Sequence, residues 1–313
     1  MNPPAASSLV ARALSGERFA LARLISHIES RAAGVEDAVA QILPRRASLP
    51  GRPHVIGVTG PPGAGKSTFT DRLVGAGRAA GQRVAVVAVD PSSPFSGGAI
   101  LGDRVRMERH AMDPGVYIRS LSARGHSGGL SRAAGQVVDV LDACGFDLVV
   151  VETVGVGQGE LGIMQVADTV LVVLTPESGD SVQAMKAGLI EIADCFVVNK
   201  ADRPGADALV RELEMAVHLD PRRRWEAPVY ATCAVDGTGV TEVIAGLSRH
   251  GAWCEGAGRG EWENRRADGR VRDWLDLVAD NARDGALARI AGTTLLADLR
   301  AGRIRPLDLE RQT

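Results

Sequence analysis

GPPGAGKST, Gly60 to Thr68, directly after the apolar run VIGVT (Val55 to Thr59), is the stretch whose reading decides the fold. It fills every fixed position of G-x-x-x-x-G-K-[ST], the loop that carries a nucleotide phosphate between a strand and a helix. Gly60, Gly63 and Gly65 let the backbone turn tightly, so that N–H groups face inward and the following helix aims its N-terminus at the phosphates. The nucleotide-contacting set is then Gly60, Pro61, Pro62, Gly63, Ala64, Gly65, Lys66, Ser67 and Thr68. Lys66 is expected to reach the β/γ-phosphates as a catalytic charge, and the Ser67 hydroxyl to hold Mg²⁺. A Gly-rich turn that merely contains a lysine would not fill all these positions behind a strand.

Working outward, β-rich runs alternate with helical stretches. After VIGVT come RVAVVAVD (Arg83 to Asp90), VYIRS (Val116 to Ser120), FDLVVVET (Phe146 to Thr153), TVLVVLTP (Thr169 to Pro176), CFVVNK (Cys195 to Lys200) and PVYATCA (Pro228 to Ala234). Val/Leu runs without alternation mark strands buried on both faces. The expectation is an α/β, doubly wound, mostly parallel sheet of the P-loop NTPase type over residues 51–250. Residues 1–50 read as a helical cap, with Leu14, Leu21, Leu24, Ile25 and Ile28 near helical spacing over Leu9 to about Ile42, followed by a loop around Pro44 to Pro53. Residues 251–313 read as a helical extension. In it CEGAGRGEWENRRADGR is polar and Gly-rich, and periodicity resumes with Val271, Trp274, Leu275 and Val278. Such an extension suits a dimerisation arm or a helix folded back on the core.

Composition excludes several classes. At 313 residues the chain buries a sizeable core, and a formal charge of -2 gives no field for bulk attraction to nucleic acid or an anionic membrane. Aromatics at 4% leave little for a base-stacking platform. No run approaches the roughly 18 apolar residues that span a bilayer, and MNPPAASSLV has no signal core, which places the chain in the cytoplasm. Cys144, Cys195, Cys233 and Cys254 form no C-x-x-C pair, so they read as buried thiols rather than a zinc module or a disulfide framework.

A phosphate loop does not name its base. NKAD, Asn199 to Asp202, ends an apolar strand where doubly wound sheets place ligands. The Asp202 carboxylate can accept from both the ring N–H and the amino group of guanine, whereas adenine would leave it unpaired. Lys200 can lay its stem along the base, and Asn199 can tie the loop to neighbouring strands. TCAVDGTG, Thr232 to Gly239, is the matching loop, with Cys233, Ala234 and Val235 at the base and a backbone N–H near Ala234 meeting the guanine oxygen. The cofactors implied are GTP/GDP and Mg²⁺.

Magnesium takes hard oxygen ligands. The candidates are Ser67, Asp90 at the end of the second strand, Asp103 in ILGDRVRM, and Glu152 in VETVGVGQG; Asp103 and Glu152 are also candidates for the catalytic set. Glu152 departs from the D-x-x-G of ordinary small GTPases, while Gly155 keeps the glycine that would meet the γ-phosphate. Val156 stands where a water-positioning glutamine would follow, with Gln158 nearby, so hydrolysis should be slow until a partner supplies or positions a group.

GPPGAGKST, AVDPSSPFSGGAILGDRVRM, VETVGVGQGE, PESGDSVQAMKAG and NKAD together closely resemble the MeaB/ArgK (MMAA-like) family of SIMIBI-class GTPases, over about Leu9 to Leu247. The resemblance implies a homodimeric G-protein chaperone that binds an adenosylcobalamin-dependent acyl-CoA mutase, usually methylmalonyl-CoA mutase. GTP would gate loading of intact cofactor and removal of damaged cofactor, with no B12 bound by the chaperone itself. It also implies that PESGDSVQAMKAG, Pro176 to Gly188, is the family's third switch, in which Asp180 and Lys186 couple mutase contact to the nucleotide. As a departure, SLSARGHSGG (Ser120 to Gly129) carries Arg124 and His126 where the family has shorter polar residues. That leaves a sister mutase acting on isobutyryl-, 2-hydroxyisobutyryl- or ethylmalonyl-CoA open as the client.

Other classes compete. A nickel metallochaperone GTPase normally carries a Cys/His cluster, but His27, His54, His110, His126, His218 and His250 are scattered away from the cysteines. A transport-protein kinase would need an acceptor-activating base beyond the GTPase set. A third alternative is a module that holds GTP without turnover.

Overall fold

The Val-rich runs lie side by side in one parallel sheet. A computed structural model of the chain describes residues 6–48, 51–90, 105–110, 112–122, 132–153, 162–178, 188–219 and 224–290, with 293–295, 298 and 301. The strands are β1 (His54–Thr59), β2 (Val84–Asp90), β3 (Val116–Ser122), β4 (Leu148–Thr153), β5 (Thr169–Leu174), β6 (Cys195–Asn199) and β7 (Val229–Thr232). Among the described residues they form a 7-stranded sheet in the order β3-β2-β4-β1-β5-β6-β7. Every pair is parallel, which makes the sheet a doubly wound one with β1 in its middle. The helices are α1 (Ala6–Leu14), α2 (Arg18–Ser30), α3 (Val35–Ser48), α4 (Lys66–Ala79), α5 (Arg132–Ala143), α6 (Leu189–Ile192), α7 (Ala206–His218), α8 (Val240–Glu255) and α9 (Arg259–Ile290).

The period of two along each strand divides the core. In β4, Val149 and Val151 join Leu24 and Ile28 of α2, Leu141 of α5 and Leu213 of α7. Leu148 and Val150 face the other way, with Phe69 and Leu73 of α4 and Val243 and Leu247 of α8. Both faces are therefore covered, as the unalternating runs require.

Three expectations need correction. The N-terminal stretch is three helices rather than one, because the chain turns through left-handed positions at Gly16 (φ 92°), Arg31 (φ 53°) and Gly34 (φ 76°). Pro44 lies inside α3, which runs on to Ser48, and not in a loop. The Gly-rich polar stretch after Cys254 is also largely helical, as α8 ends at Glu255 and α9 begins at Arg259. Its charges have partners. Arg265 donates to both carboxylate oxygens of Asp194 at 2.9 and 3.1 Å, while Arg266 Nε and Trp262 Nε1 donate to Asp168 Oδ1 at 2.7 and 2.6 Å. Both aspartates are buried, and they also accept the Val55 and Val170 amides. Above them Thr169 Oγ1 lies 2.6 Å from His54 Nε2 and 2.7 Å from His250 Nδ1.

The compact unit that carries the sheet ends at Arg266, and a second unit begins at Ala267. In the second unit Val271, Trp274, Leu275 and Val278 are all about half exposed on α9. Among the described residues no helix is long and apolar enough to cross a membrane.

Candidate nucleotide site

The loop after β1 passes beside β5 so closely that only glycine fits at its start. Gly60 has φ 133°, and a Cβ there would lie 2.0 Å from the Val173 carbonyl oxygen. Gly65, the N-cap of α4, has φ 91°, and a Cβ would meet Asn199 Nδ2 at 2.3 Å. Between these points Lys66 is buried, and its Nζ donates to the carbonyls of Gly60 (2.7 Å) and Pro61 (2.9 Å), which holds the ammonium within the curl of the loop.

Asn199 joins the loop after β1 to the end of β7 and the loop that follows it. Its Nδ2 donates to the Ala64 carbonyl at 2.8 Å, and its Oδ1 accepts from the Ala234 amide at 3.0 Å and Thr232 Oγ1 at 3.3 Å. The amide expected to meet the guanine oxygen, near Ala234, is thus engaged by Asn199, and Ala234 itself is buried. Val235, next along, is 80% exposed. Lys200 adopts φ 58°, and its Nζ lies 3.6 Å from Glu177 Oε2; Arg203 pairs with the same carboxylate.

A cavity of about 690 Å³ lies between the two loops. Pro62, Gly63, Gly65, Lys66, Ser67, Thr68, Glu152, Asn199, Lys200, Asp202, Cys233, Ala234 and Val235 line it. Residues expected from distant stretches of sequence therefore share one chamber of nucleotide size. Ser67 Oγ donates to Glu152 Oε1 at 2.6 Å, which brings two of the four candidate metal ligands together as buried hard oxygens. That donor set fits a magnesium ion. Asp90 ends β2 alongside Ser122 of β3, one step beyond the Val89–Thr153 pairing with β4. Asp103, Gly155, Val156, Gln158, Asp180, Lys186 and residues 123–129 of the Ser120 to Gly129 loop lie outside the described residues.

Sequence reasoning missed Arg203, which lines the cavity, and Arg72 of α4, whose guanidinium reaches the carbonyls of Ala234 and Val235. Neither carries a motif, and Arg72 meets a partner 162 positions away. Of the cysteines, Cys144, Cys195 and Cys254 are buried and Cys233 half-buried, all as free thiols. Burial pushes Cys144 up to about 11 and Cys254 up to about 12. Among the described residues no group of three or more His, Cys, Asp or Glu is placed to hold a metal ion.

The model of the family described as methylmalonyl Co-A mutase-associated GTPase MeaB matches residues 21–290. The chain belongs to the MeaB family. It is a SIMIBI-class P-loop GTPase that binds GTP and GDP and hydrolyses GTP. A relative from Pyrococcus horikoshii, named as a GTPase, is 48% identical over 80% of this chain and 79% of its own. The fused isobutyryl-CoA mutase of Cupriavidus metallidurans is 36% identical over 96% of this chain, which corresponds to 28% of that longer protein. Among solved structures, that of an LAO/AO transport system kinase superposes with a TM-score of 0.70 at 27% identity, covering 100% of this chain and 97% of the other.

Proposed function

We propose that this GTPase is a chaperone for an adenosylcobalamin-dependent acyl-CoA mutase, with methylmalonyl-CoA mutase as its client. GTP binding and hydrolysis would gate cofactor loading and protect or reactivate the mutase, and the chaperone itself would hold no B12. One observation carries this reading: nearly the whole chain aligns with a segment of a protein named as a fused isobutyryl-CoA mutase. A GTPase of this kind there shares a polypeptide with a mutase, and the family description names mutase association directly. The name of that relative also favours isobutyryl-CoA mutase as a second client.

Ser67 and Glu152, with Asp90 and Asp103, would hold Mg²⁺, which supplies positive charge beside the β/γ-phosphates. Lys66 adds the protein's own cation there. Asp202 and the loop at Cys233 to Val235 would read guanine, and Gly155 would meet the γ-phosphate. Lys186 and Asp180, in the Pro176 to Gly188 segment, would carry mutase contact to the phosphates. Residues 251–313 would form the dimerisation arm, where Val271, Trp274, Leu275 and Val278 stand at i, i+3, i+4 and i+7 and provide an apolar seam for a second copy.

The test is single-turnover GTP hydrolysis by the purified protein, alone and with each candidate mutase. The cognate mutase should accelerate the reaction by about tenfold or more, equivalent to about 1.4 kcal/mol of barrier. Lys186→Ala and Asp180→Ala should lose most of that acceleration. A rate unchanged by every acyl-CoA mutase would overturn the chaperone reading.

A further inference from the structure

The loop Cys233 to Thr238 closes the base end of the cavity, and nearly all of its amides are already committed. Cys233 N–H donates to the Thr238 carbonyl at 3.0 Å, Ala234 N–H to Asn199 Oδ1 at 3.0 Å and Gly237 N–H to the Cys233 carbonyl at 2.9 Å. Thr238 N–H donates to Asp236 Oδ1 at 2.8 Å, and the Asp236 amide bonds the Cys233 thiol. Among the described residues, only the Val235 N–H of this loop has no acceptor.

The direction of that N–H is set from outside the loop. Arg72, on the same helix as Lys66 and Ser67, donates Nε to the Ala234 carbonyl at 2.9 Å and Nη2 to the Val235 carbonyl. In a trans peptide the C=O of one residue and the N–H of the next point in opposite directions, and among the described residues no peptide bond is cis. With the Ala234 carbonyl turned toward α4, the Val235 N–H turns away from α4, in a residue that lines the cavity. Asp236 adds a carboxylate near the guanidinium.

We propose that Arg72 is a positioning residue for guanine recognition, which turns the Val235 N–H toward the carbonyl oxygen of the base. The proposal rests on the reading of this cavity as the guanine site. It moves the oxygen-reading amide one residue on from Ala234 and makes it depend on a side chain of the phosphate-binding helix. Removing Arg72 frees both carbonyls to rotate and blurs the direction of the one uncommitted donor. The interaction with the guanine oxygen is then weakened, while contacts to phosphate, ribose and the 2-amino group remain.

The test is equilibrium binding of two ligands, GDP and 2-aminopurine riboside diphosphate. The second keeps the phosphates, ribose and 2-amino group but has neither the carbonyl oxygen nor the ring N–H. Arg72→Ala and Arg72→Met should weaken GDP by about tenfold, the size of one well-placed hydrogen bond, and the analogue by less than about twofold. Arg72→Lys should recover part of the GDP loss, since an ammonium can still meet one carbonyl. Equal losses for both ligands, or unchanged GDP affinity, would overturn the assignment. The guanine reading fails separately, and visibly, if the unmutated protein does not prefer GDP to the analogue.

Discussion

Ser67 Oγ donates to Glu152 Oε1 across 2.6 Å, joining the first turn of α4 to the end of β4. Both residues are buried, at 7% and 4% exposure, so a carboxylate stands in a poorly solvated place beside the glycine-rich loop after β1. Two negative groups at short range in such a place repel strongly unless a cation lies between them. Chelating Mg²⁺ should therefore weaken GTP binding in the unmutated protein much more than in Glu152→Gln, where the repulsion is absent. The same variant should lose turnover by roughly 100-fold, the usual size for loss of one charge-organising group. Affinity and rate measured with and without EDTA decide it; equal sensitivity of the two proteins to EDTA would remove Glu152 from the metal site.

Lys66 is held by two loop carbonyls, so its loss has two separable effects. Lys66→Ala leaves the Gly60 and Pro61 carbonyls without that donor, a cost of about 1–3 kcal/mol in stability, and the protein should still fold. Turnover should fall by at least roughly 100-fold, because the positive charge at the transferring phosphoryl group is gone. Full activity in a folded Lys66→Ala would mean that the phosphates bind elsewhere.

The sheet and the phosphate loop were legible because their signals are local. A valine run buried on both faces and a glycine spacing around Lys66 each stand within a few residues of sequence. The union of Asn199 with Ala64 and Ala234 was foreseen in kind, since the strand-end position of NKAD already implied a tie to its neighbours. What could not be read was pairing across long separations. Nothing in the sequence around Trp262, Arg265 and Arg266 shows that these polar groups meet Asp168 and Asp194 up to 98 positions away, so the stretch looked like a Gly-rich break. The three-helix cap was hidden for a different reason: its buried residues keep helical spacing inside each helix, and only the left-handed turns at Gly16, Arg31 and Gly34 separate them.

Asp202 lines the same cavity as Cys233 and Val235. Replacing its carboxylate with an amide substitutes a donor for an acceptor, which suits the C2 carbonyl of xanthine and repels the guanine amino group. Asp202→Asn should weaken GTP by about 100-fold or more while improving xanthosine triphosphate, as expected when a polar contact to the base is mismatched. Competition binding with both nucleotides measures the exchange. If ATP competed equally with GTP in the unmutated protein, Asp202 would not be reading guanine.

Gly60 offers a stability test of the loop itself. With φ 133° and the Val173 carbonyl 2.0 Å from any Cβ, Gly60→Ala cannot be relieved by turning a side chain; the backbone of β1 or β5 must move. The expected cost is about 2 kcal/mol or more, from strain at a glycine-only conformation plus the displaced carbonyl. Gly63→Ala is the control, because it shares a positive φ but meets nothing within 4 Å. Chemical denaturation should rank Gly60→Ala below Gly63→Ala, and the reverse order would contradict the packing of the loop on β5.

Acid should loosen the opposite end of the sheet. Thr169 Oγ1 stands between one ring nitrogen of His54 and one of His250, and its hydroxyl can donate to one ring and accept from the other. His250 Nε2 lies 3.5 Å from Asp194 Oδ1. Burial pushes both histidines below their ordinary range, outweighing the pull of Asp168 and Asp194, and Arg265 and Arg266 add positive charge nearby. The unfolded chain takes up protons on these rings below about pH 6.5, while the folded protein resists them to lower pH. Stability from the pair is therefore fully present above about pH 6.5 and is lost as pH falls toward the depressed folded values. The denaturation midpoint should hold between pH 8 and 7, taken as working values on the plateau above about 6.5, and fall steadily below it. His54→Gln with His250→Gln should start from a lower midpoint and decline less over the same acid range. An unmutated protein whose midpoint is as flat below about pH 6.5 as the double variant's would show that these histidines titrate alike in both states.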